Sequence, residues 1–265
     1  MRGVLGAVSE ITYTARDGTS IPALLTLPPE AKGKGLPLVV LPHGGPESLD
    51  YYWFDWLAQF IATRGYAVLQ PQFRGSTGHG DAFRRAGEHQ WGLLIQDDIT
   101  DGVKALIERG VADPHHICIL GEGFGGYAAL AGAAFTPELY VCAVSISGVS
   151  DLPEFLAYVT QHYGSQSDQA AHFRRLIGSA SDPSVIARSP AHSVATIKIP
   201  VLLIHGEDDT IFPPAQSESM ARALTTAGKK VVLLKLPGED HWLSHTESRT
   251  RVLKQVDTFL GAYLK

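Results

Sequence analysis

The stretch of sequence that decides the fold is GEGFGG, residues 121–126. It follows a short apolar run, Ile117 to Leu120, and opens a helical pattern, Phe124 to Ala134, so it predicts a tight turn from a strand into a helix. This is the setting of the G-x-S-x-G turn that presents a catalytic nucleophile, although the third letter is glycine here. The flanking glycines fit because such a turn leaves no room for Cβ atoms. A plain glycine-rich turn, as in nucleotide-binding folds, is the alternative that the hexapeptide leaves open.

Short apolar runs alternate with helical patterns along most of the chain. Two β-rich runs separated by a turn signal, Ser9 to Thr14 and Ser20 to Leu27, predict an opening hairpin. Further strands are predicted at Pro37 to Leu41, Tyr66 to Gln70, Ile117 to Leu120, Val141 to Ile146, Val201 to Ile204 and Val231 to Leu236, and helices at Phe54 to Thr63, Gln96 to Arg109, Phe124 to Ala134, Ala215 to Ala227 and Glu247 to Leu264. This order predicts an α/β fold, with a mostly parallel central sheet, helices on both faces and sites at the carboxyl ends of the strands.

The stretch from about 151 to 196 breaks the alternation, because it offers helical pieces but no convincing strand. We interpret it as a small helical cap over the site. A chain of 265 residues with 45% hydrophobic content can bury one large core, and it has no internal repeats or long linkers. We therefore predict a single domain over residues 1–265, with the cap inserted at about 151–196.

Composition argues against several classes of partner and location. A net charge of -5 gives no basic footprint for nucleic acid or an anionic membrane, and no apolar run is long enough to span a bilayer. Cys118 and Cys142 lie in apolar stretches, which favours buried reduced thiols over a disulfide and indicates a cytoplasmic location. The eleven histidines are scattered without metal-ligand spacing, so we predict no metal and no cofactor. A metal-dependent hydrolase is the less favoured alternative.

Three further motifs supply the groups that acyl transfer needs. HGEDDT, residues 205–210, follows a predicted strand and offers carboxylates that could orient an imidazole. EDH, residues 239–241, follows the last predicted strand, so turn, acid and histidine occur in the chain order of α/β-hydrolases. HGGP, residues 43–46, matches the loop whose N–H groups face a developing oxyanion in that fold.

The whole set of motifs resembles the catalytic domain of the prolyl oligopeptidase family, in particular its acylaminoacyl-peptidase branch. The matching stretches extend across the chain: HGGPES (43–48), QFRGSTGHG (72–80), WG (91–92), QDDITDGV (96–103), GEGFGGYAAL (121–130), SGVSDL (147–152), HGEDDTIFPPAQS (205–217) and EDHW (239–242). The resemblance implies a serine peptidase or esterase acting on a peptide or a small acyl or ester substrate. By it, Asp209 is the triad acid, His241 is the general base, and the backbone of Gly45 and Phe124 forms the oxyanion hole.

The sequence departs from this family in three places. Gly123 stands where the family has the nucleophilic serine, so acyl-enzyme turnover should be absent. The family usually carries a β-propeller ahead of the catalytic domain, and we expect none here. Ile211 stands where many relatives place an arginine that holds a substrate carbonyl, which tilts the expectation towards esters or small acyl substrates.

Two interpretations of Gly123 stay open. The chain is a serine hydrolase whose nucleophile has been replaced, which the retained His241 and Asp209 favour, or it is a non-catalytic binding protein on the same scaffold. Ser145, Ser147, Ser150 and Glu122 are weak substitutes for the nucleophile; the residue before the nucleophile position normally turns its side chain away. As substrate contacts we consider aromatic and imidazole side chains near the loop and in the cap: Tyr51, Tyr52, Trp53, Phe155, Tyr158, His162 and Tyr163.

Overall fold

The computed structural model describes residues 4–31 and 33–264, and one eight-stranded sheet runs through them. Its strands are β1 (Ala7–Thr14), β2 (Ser20–Leu27), β3 (Leu36–Val40), β4 (Ala67–Pro71), β5 (Ala112–Glu122), β6 (Cys142–Ile146), β7 (Val201–Gly206) and β8 (Val231–Leu236). Their spatial order is β1-β2-β4-β3-β5-β6-β7-β8. The β1–β2 and β2–β4 pairs are antiparallel and the other pairs are parallel, so the predicted α/β class and mostly parallel sheet are confirmed.

Helices cover both faces of the sheet. They are α1 (Trp56–Thr63), α2 (Asp81–Arg85), α3 (Leu94–Glu108), α4 (Phe124–Phe135), α5 (Leu152–Tyr163), α6 (Asp168–Ile177), α7 (Pro183–Ala187), a 3₁₀ helix (Pro190–Thr196), α8 (Ala215–Thr226) and α9 (Thr246–Tyr263). Neighbouring strand residues contribute to opposite cores, as in β3, where Leu38 and Val40 pack under α3 and α4 while Val39 packs towards α1 and α9. Strands buried on both faces explain the continuous apolar runs in the sequence.

The segment predicted as a cap lies between β6 and β7 and is helical. It comprises α5, α6, α7 and the 3₁₀ helix, with no strand between Leu152 and Thr196. Side chains of Asp151, Ser167 and Asp182 cap the first three of these helices by accepting backbone hydrogen bonds. The cap therefore has well-defined helix starts that its own sequence encodes. Within the described residues, no helix is both long and apolar enough to cross a lipid bilayer.

The cysteines differ from the sequence-based expectation. Cys118 and Cys142 form a disulfide, so the prediction of two reduced thiols is wrong. The two residues are direct partners in the parallel pairing of β5 and β6, with their Cα atoms 4.8 Å apart, a spacing that a disulfide can bridge. The pairing register, which the sequence does not reveal, is the reason for the difference. The cytoplasmic location that rested on reduced thiols loses that support.

Candidate active site

The turn between β5 and α4 is built from closely packed backbone. A Cβ at Gly121 would collide with the backbone of Gly125, and a Cβ at Gly125 would collide with the carbonyl of Pro42 in the neighbouring strand-end loop. Gly123 lies at the tip with φ +58° and ψ -118°, and its N–H donates to the Ile146 carbonyl at 2.9 Å. Residue 123 is therefore held at the carboxyl edge of the sheet in a backbone conformation that favours glycine.

An aspartate and a histidine from two different loops meet beside this tip. Asp209 follows β7 and His241 follows β8, and the Nδ1 of His241 donates to Oδ2 of Asp209 at 2.7 Å. Since a carboxylate only accepts, Nδ1 carries the proton of this bond, and in the neutral ring Nε2, on the other side, is then the acceptor. A Cβ built on Gly123 would lie 3.5 Å from that Nε2. The structure thus brings together the three predicted positions, 123, 209 and 241.

The carboxylate of Asp209 is fixed by several donors. Its Oδ1 accepts from the backbone N–H groups of Ile211 and Phe212, each at 2.9 Å, and Nε2 of His205 lies 3.3 Å from Oδ2. Burial raises the pKa of this carboxyl, but the hydrogen bonds from His205, His241 and the Phe212 N–H outweigh burial and hold the pKa well below its usual range. Asp209 is therefore ionised and oriented at neutral pH.

The HGGP loop lies directly against the turn. Gly45 has φ +116°, and a Cβ on Gly44 would lie 3.5 Å from the Glu122 carbonyl. Among the described residues, the N–H groups of Gly45 and Phe124 donate to no other backbone group. His43 supports the loop: its Nδ1 donates to the Gly44 carbonyl at 2.7 Å, and burial lowers its pKa to about 4, so it is neutral.

A cavity of about 510 Å³ opens over these groups. Gly123 and His241 lie in its wall, together with Gly44 and Gly45 of the loop. Apolar side chains from four segments complete much of the wall: Leu41, Leu49, Trp56, Leu57, Phe173, Ile211, Phe212 and Trp242. The cap contributes Phe173, from α6, and Ile211, at the position where the resemblance led us to expect an arginine in many relatives, is also part of the wall. A mostly apolar cleft with a few convergent polar groups is typical of a ligand site.

The predicted substrate-contact residues do not line this cavity. Tyr51 is 71% exposed and borders a separate groove, while the hydroxyls of Tyr158 and Tyr163 donate to the Thr210 carbonyl at 2.9 and 3.0 Å. His162 stacks on Tyr158, with ring centroids 5.3 Å apart. The two cap tyrosines therefore support the loop that carries Asp209 instead of facing the cavity.

The serines considered as substitute nucleophiles are buried away from the cavity. Ser145, Ser147 and Ser150 are each at most 1% exposed, and none lies in the cavity wall. Ser150 donates to the Gln216 carbonyl at 2.7 Å. Their position gives no route for their hydroxyls to reach a substrate beside His241.

Three acidic residues in the cavity wall were missed as a group by sequence reasoning. Asp50, Asp55 and Glu122 all line it. The carboxyl group of Glu122, whose side chain was expected to turn away from the site, interacts with the charges of both Asp55 and His241. Burial, followed by the negative charge of Asp55, raises the pKa of Asp50 and of Glu122 to about 7 each. The sequence signal that could have pointed to this acidic group was Asp55 before Trp56 at the start of α1, but an aspartate in that place is also typical of an ordinary helix cap.

A nucleophile turn, an acid and a histidine at the carboxyl edge of one parallel sheet define the class of α/β-hydrolases. Within that class, a family can be assigned: the chain belongs to the prolyl oligopeptidase family, whose sequence model matches residues 52–265. The resemblance inferred from the motifs is thereby confirmed.

Individual relatives agree with this assignment. Dipeptidyl aminopeptidase BIII from Pseudoxanthomonas mexicana is 33% identical over 96% of this chain and 38% of its own length. Acylamino-acid-releasing enzyme from Arabidopsis thaliana is 28% identical over 88% of this chain and 31% of its own length. A structure described as a Mycobacterium tuberculosis puromycin-hydrolyzing peptidase superposes with a TM-score of 0.92 and 29% identity, covering 100% of this chain and 40% of that one. The chain spans less than half the length of each of these relatives, and the structural match confirms the fold.

Proposed function

We propose that this chain is a single catalytic domain of a serine hydrolase for acyl-peptide or ester bonds. Its nucleophile position, residue 123, is a glycine and so has no side chain. Peptidases among its relatives support a peptide or acylated peptide as the substrate class. As it stands, the chain forms no acyl-enzyme, because glycine has no atom that could attack a carbonyl.

One observation carries this proposal. Nε2 of His241 lies 3.5 Å from the place of a Cβ on residue 123, while Nδ1 of the same ring is held by Asp209. A serine Oγ lies one covalent bond beyond Cβ, so it can reach hydrogen-bond distance of Nε2. His241 would then take the hydroxyl proton during attack and return it to the leaving group, and Asp209 would stabilise the imidazolium that forms in between.

The backbone of the two loops would stabilise the developing oxyanion. The N–H of Phe124 is at the first position of α4, where no intrahelical acceptor is available, and the N–H of Gly45 belongs to the loop pressed against the turn. Unpaired donors that are already in place cost no reorganisation when charge develops on the carbonyl oxygen. Gly45 and Phe124 are therefore our candidates for the oxyanion hole.

A second candidate function is a binding protein that recognises an acyl compound or peptide without hydrolysing it. The observation that favours it is Gly123 itself, in a chain whose cavity stays open and formed. This function predicts tight ligand binding that a His241→Ala replacement leaves unchanged.

The test installs the missing group. Gly123→Ser should hydrolyse a p-nitrophenyl acyl ester and an acyl-peptide about 10⁶-fold faster than the parent chain, the factor that loss of such a nucleophile typically costs. Gly123→Ala is the matched control, because it adds the Cβ without the hydroxyl. Gly123→Ser combined with His241→Ala should lose nearly all of the gain. A Gly123→Ser protein that is folded and no faster than Gly123→Ala contradicts the proposal.

A further inference from the structure

Among the described residues, the wall of the cavity carries three carboxyl groups and no lysine or arginine. The carboxyl groups come together from two segments: Asp50 and Asp55 lie in the connection between β3 and α1, and Glu122 lies at the end of β5. Within residues 4–31 and 33–264, none of the three forms an ion pair with a Lys, Arg or His. Their negative charge is therefore unbalanced at close range.

In two of these carboxyl groups, one oxygen lacks a hydrogen-bond partner. Oδ2 of Asp50 and Oε1 of Glu122 are shielded from solvent, and neither has a partner among the described residues. Asp55 differs, since its Oδ1 accepts from the Ala58 N–H at 2.8 Å and its Oδ2 from Gln70 at 3.3 Å. Removing a carboxylate from water without a donor is unfavourable, and a bound group that supplies N–H donors would relieve it.

The surroundings suit a positively charged group. Trp56 directly follows Asp55, and Trp242 directly follows His241, and both indole side chains lie in the same wall as the acids. Aromatic faces attract ammonium and guanidinium groups, and carboxylates pair with them through charge-assisted hydrogen bonds. An anion would be repelled by both kinds of neighbour, and a neutral N–H donor would leave the negative charge of the carboxylates unbalanced.

We infer that the acidic part of this cavity, formed by Asp50, Asp55 and Glu122, binds a cationic group of the substrate, either a free α-ammonium or a lysine or arginine side chain. The inference rests on the proposed function, because it assigns a specificity to the same cavity. Glu122 directly precedes the nucleophile position, so the cation would lie within a residue or two of the bond to be cleaved.

The test measures binding to the parent chain, which cannot consume the peptide if the proposed function holds. The probes are acetyl-Ala-Nle-Nle-Ala-amide, where Nle is norleucine, two peptides with Lys at either Nle position, and the Nle peptide with a free amino terminus. Isothermal titration calorimetry gives the dissociation constants, and the tryptophans of the cavity give a second signal. At least one cationic peptide should bind about tenfold or more tightly than the neutral peptide, the factor that one charge-assisted hydrogen bond supplies. The peptide that gains affinity identifies the source of the cation.

The preference should also depend on pH. Burial and like charge raise the pKa of Asp50 and Glu122 to about 7, while His241 and Arg249 oppose the rise at Glu122. At pH 5.5 the two carboxyls are largely protonated, so a cation must first displace protons. Between pH 5.5 and pH 7 the preference for the cationic peptide should therefore increase. A preference that falls over this interval overturns the inference.

Variants test whether the preference for cationic peptides depends on the carboxyl groups of Asp50 and Glu122. Glu122→Gln and Asp50→Asn keep the shape and remove the charge, so each should reduce the preference at least severalfold, whereas Glu108→Gln, at the exposed end of α3, should not. Thermal unfolding checks that each variant is folded, and the pH dependence of the parent chain needs no variant. Equal binding of all peptides, or a preference that both cavity variants retain, overturns the inference. If the inference fails but Gly123→Ser hydrolyses the neutral ester, the proposed hydrolase function still stands. If Gly123→Ser does not hydrolyse the ester and no peptide binds, both the proposed function and the inference fail.

Discussion

Replacing Gly123 by alanine should destabilise the fold through the backbone alone. Residue 123 has φ +58° and ψ -118°, where a residue with a Cβ stores about 1–3 kcal/mol of strain. The Cβ itself meets ordinary contacts, at 3.4 Å from Phe212 and 3.5 Å from His241. Alanine also restricts the unfolded chain, which returns about 0.4–1 kcal/mol. The free energy of unfolding should therefore fall by about 1–2 kcal/mol.

Differential scanning calorimetry measures this loss directly. For a domain of this size, about 1–2 kcal/mol corresponds to a fall in Tm of roughly 2–8 °C. Gly123→Ser should lose about as much, since it adds the same Cβ. Gly44→Ala is the matched control: its new Cβ would also lie 3.5 Å from its nearest neighbour, but its φ is outside the left-handed region, so its Tm should stay equal or rise slightly. A Gly123→Ala protein as stable as the parent refutes the strain at this turn.

Three further predictions concern other parts of the structure. In the serine-restored variant, Asp209→Asn should lower kcat by about 10⁴ with little change in KM, because an amide no longer fixes the imidazole tautomer; steady-state kinetics measures it. Glu47→Gln should cost up to about 3 kcal/mol at pH 7, because hydrogen bonds from arginines lower the Glu47 pKa from 4.5 to about 2. Urea unfolding should show that this cost shrinks as the pH falls from 5 towards 2, and a constant cost speaks against it. Thiol titration of the unfolded, unreduced chain should find neither Cys118 nor Cys142 free, and Cys118→Ser should cost about 3 kcal/mol by opening a loop with a sequence separation of 24. Two free thiols would rule out the cross-link.

The sheet could be predicted because its strands are buried on both faces. The β8 prediction, Val231 to Leu236, is confirmed at both ends, and most other elements differ by a few residues. The larger misses have physical causes. Helix α2, Asp81–Arg85, has no apolar stripe and is accompanied by ion pairs of Arg84 with Asp81 and Glu47, which no periodicity reveals.

The site was partly predictable for a different reason. Asp209 and His241 follow predicted strands inside recognisable motifs, and parallel strands bring their carboxyl ends to one edge of the sheet. Asp50 and Asp55 carry no such mark, because their burial depends on how α1 packs beside the HGGP loop. The functions of the four residues remain predictions until the variants are measured.

In the turn at residues 121–126, the positions that close packing restricts to glycine are different from the position that could carry a reactive side chain. The glycines at 121, 125 and 126 have no spare room, since a Cβ at Gly126 alone would approach Ser145 Oγ to 2.8 Å, whereas a Cβ at 123 meets ordinary contacts. Close packing thus requires glycine at positions 121, 125 and 126, whereas position 123 has room for a side chain. Replacing a serine by glycine at position 123 removes backbone strain, so selection for stability alone would retain the glycine. A serine hydroxyl would be kept at this position only while turnover is under selection.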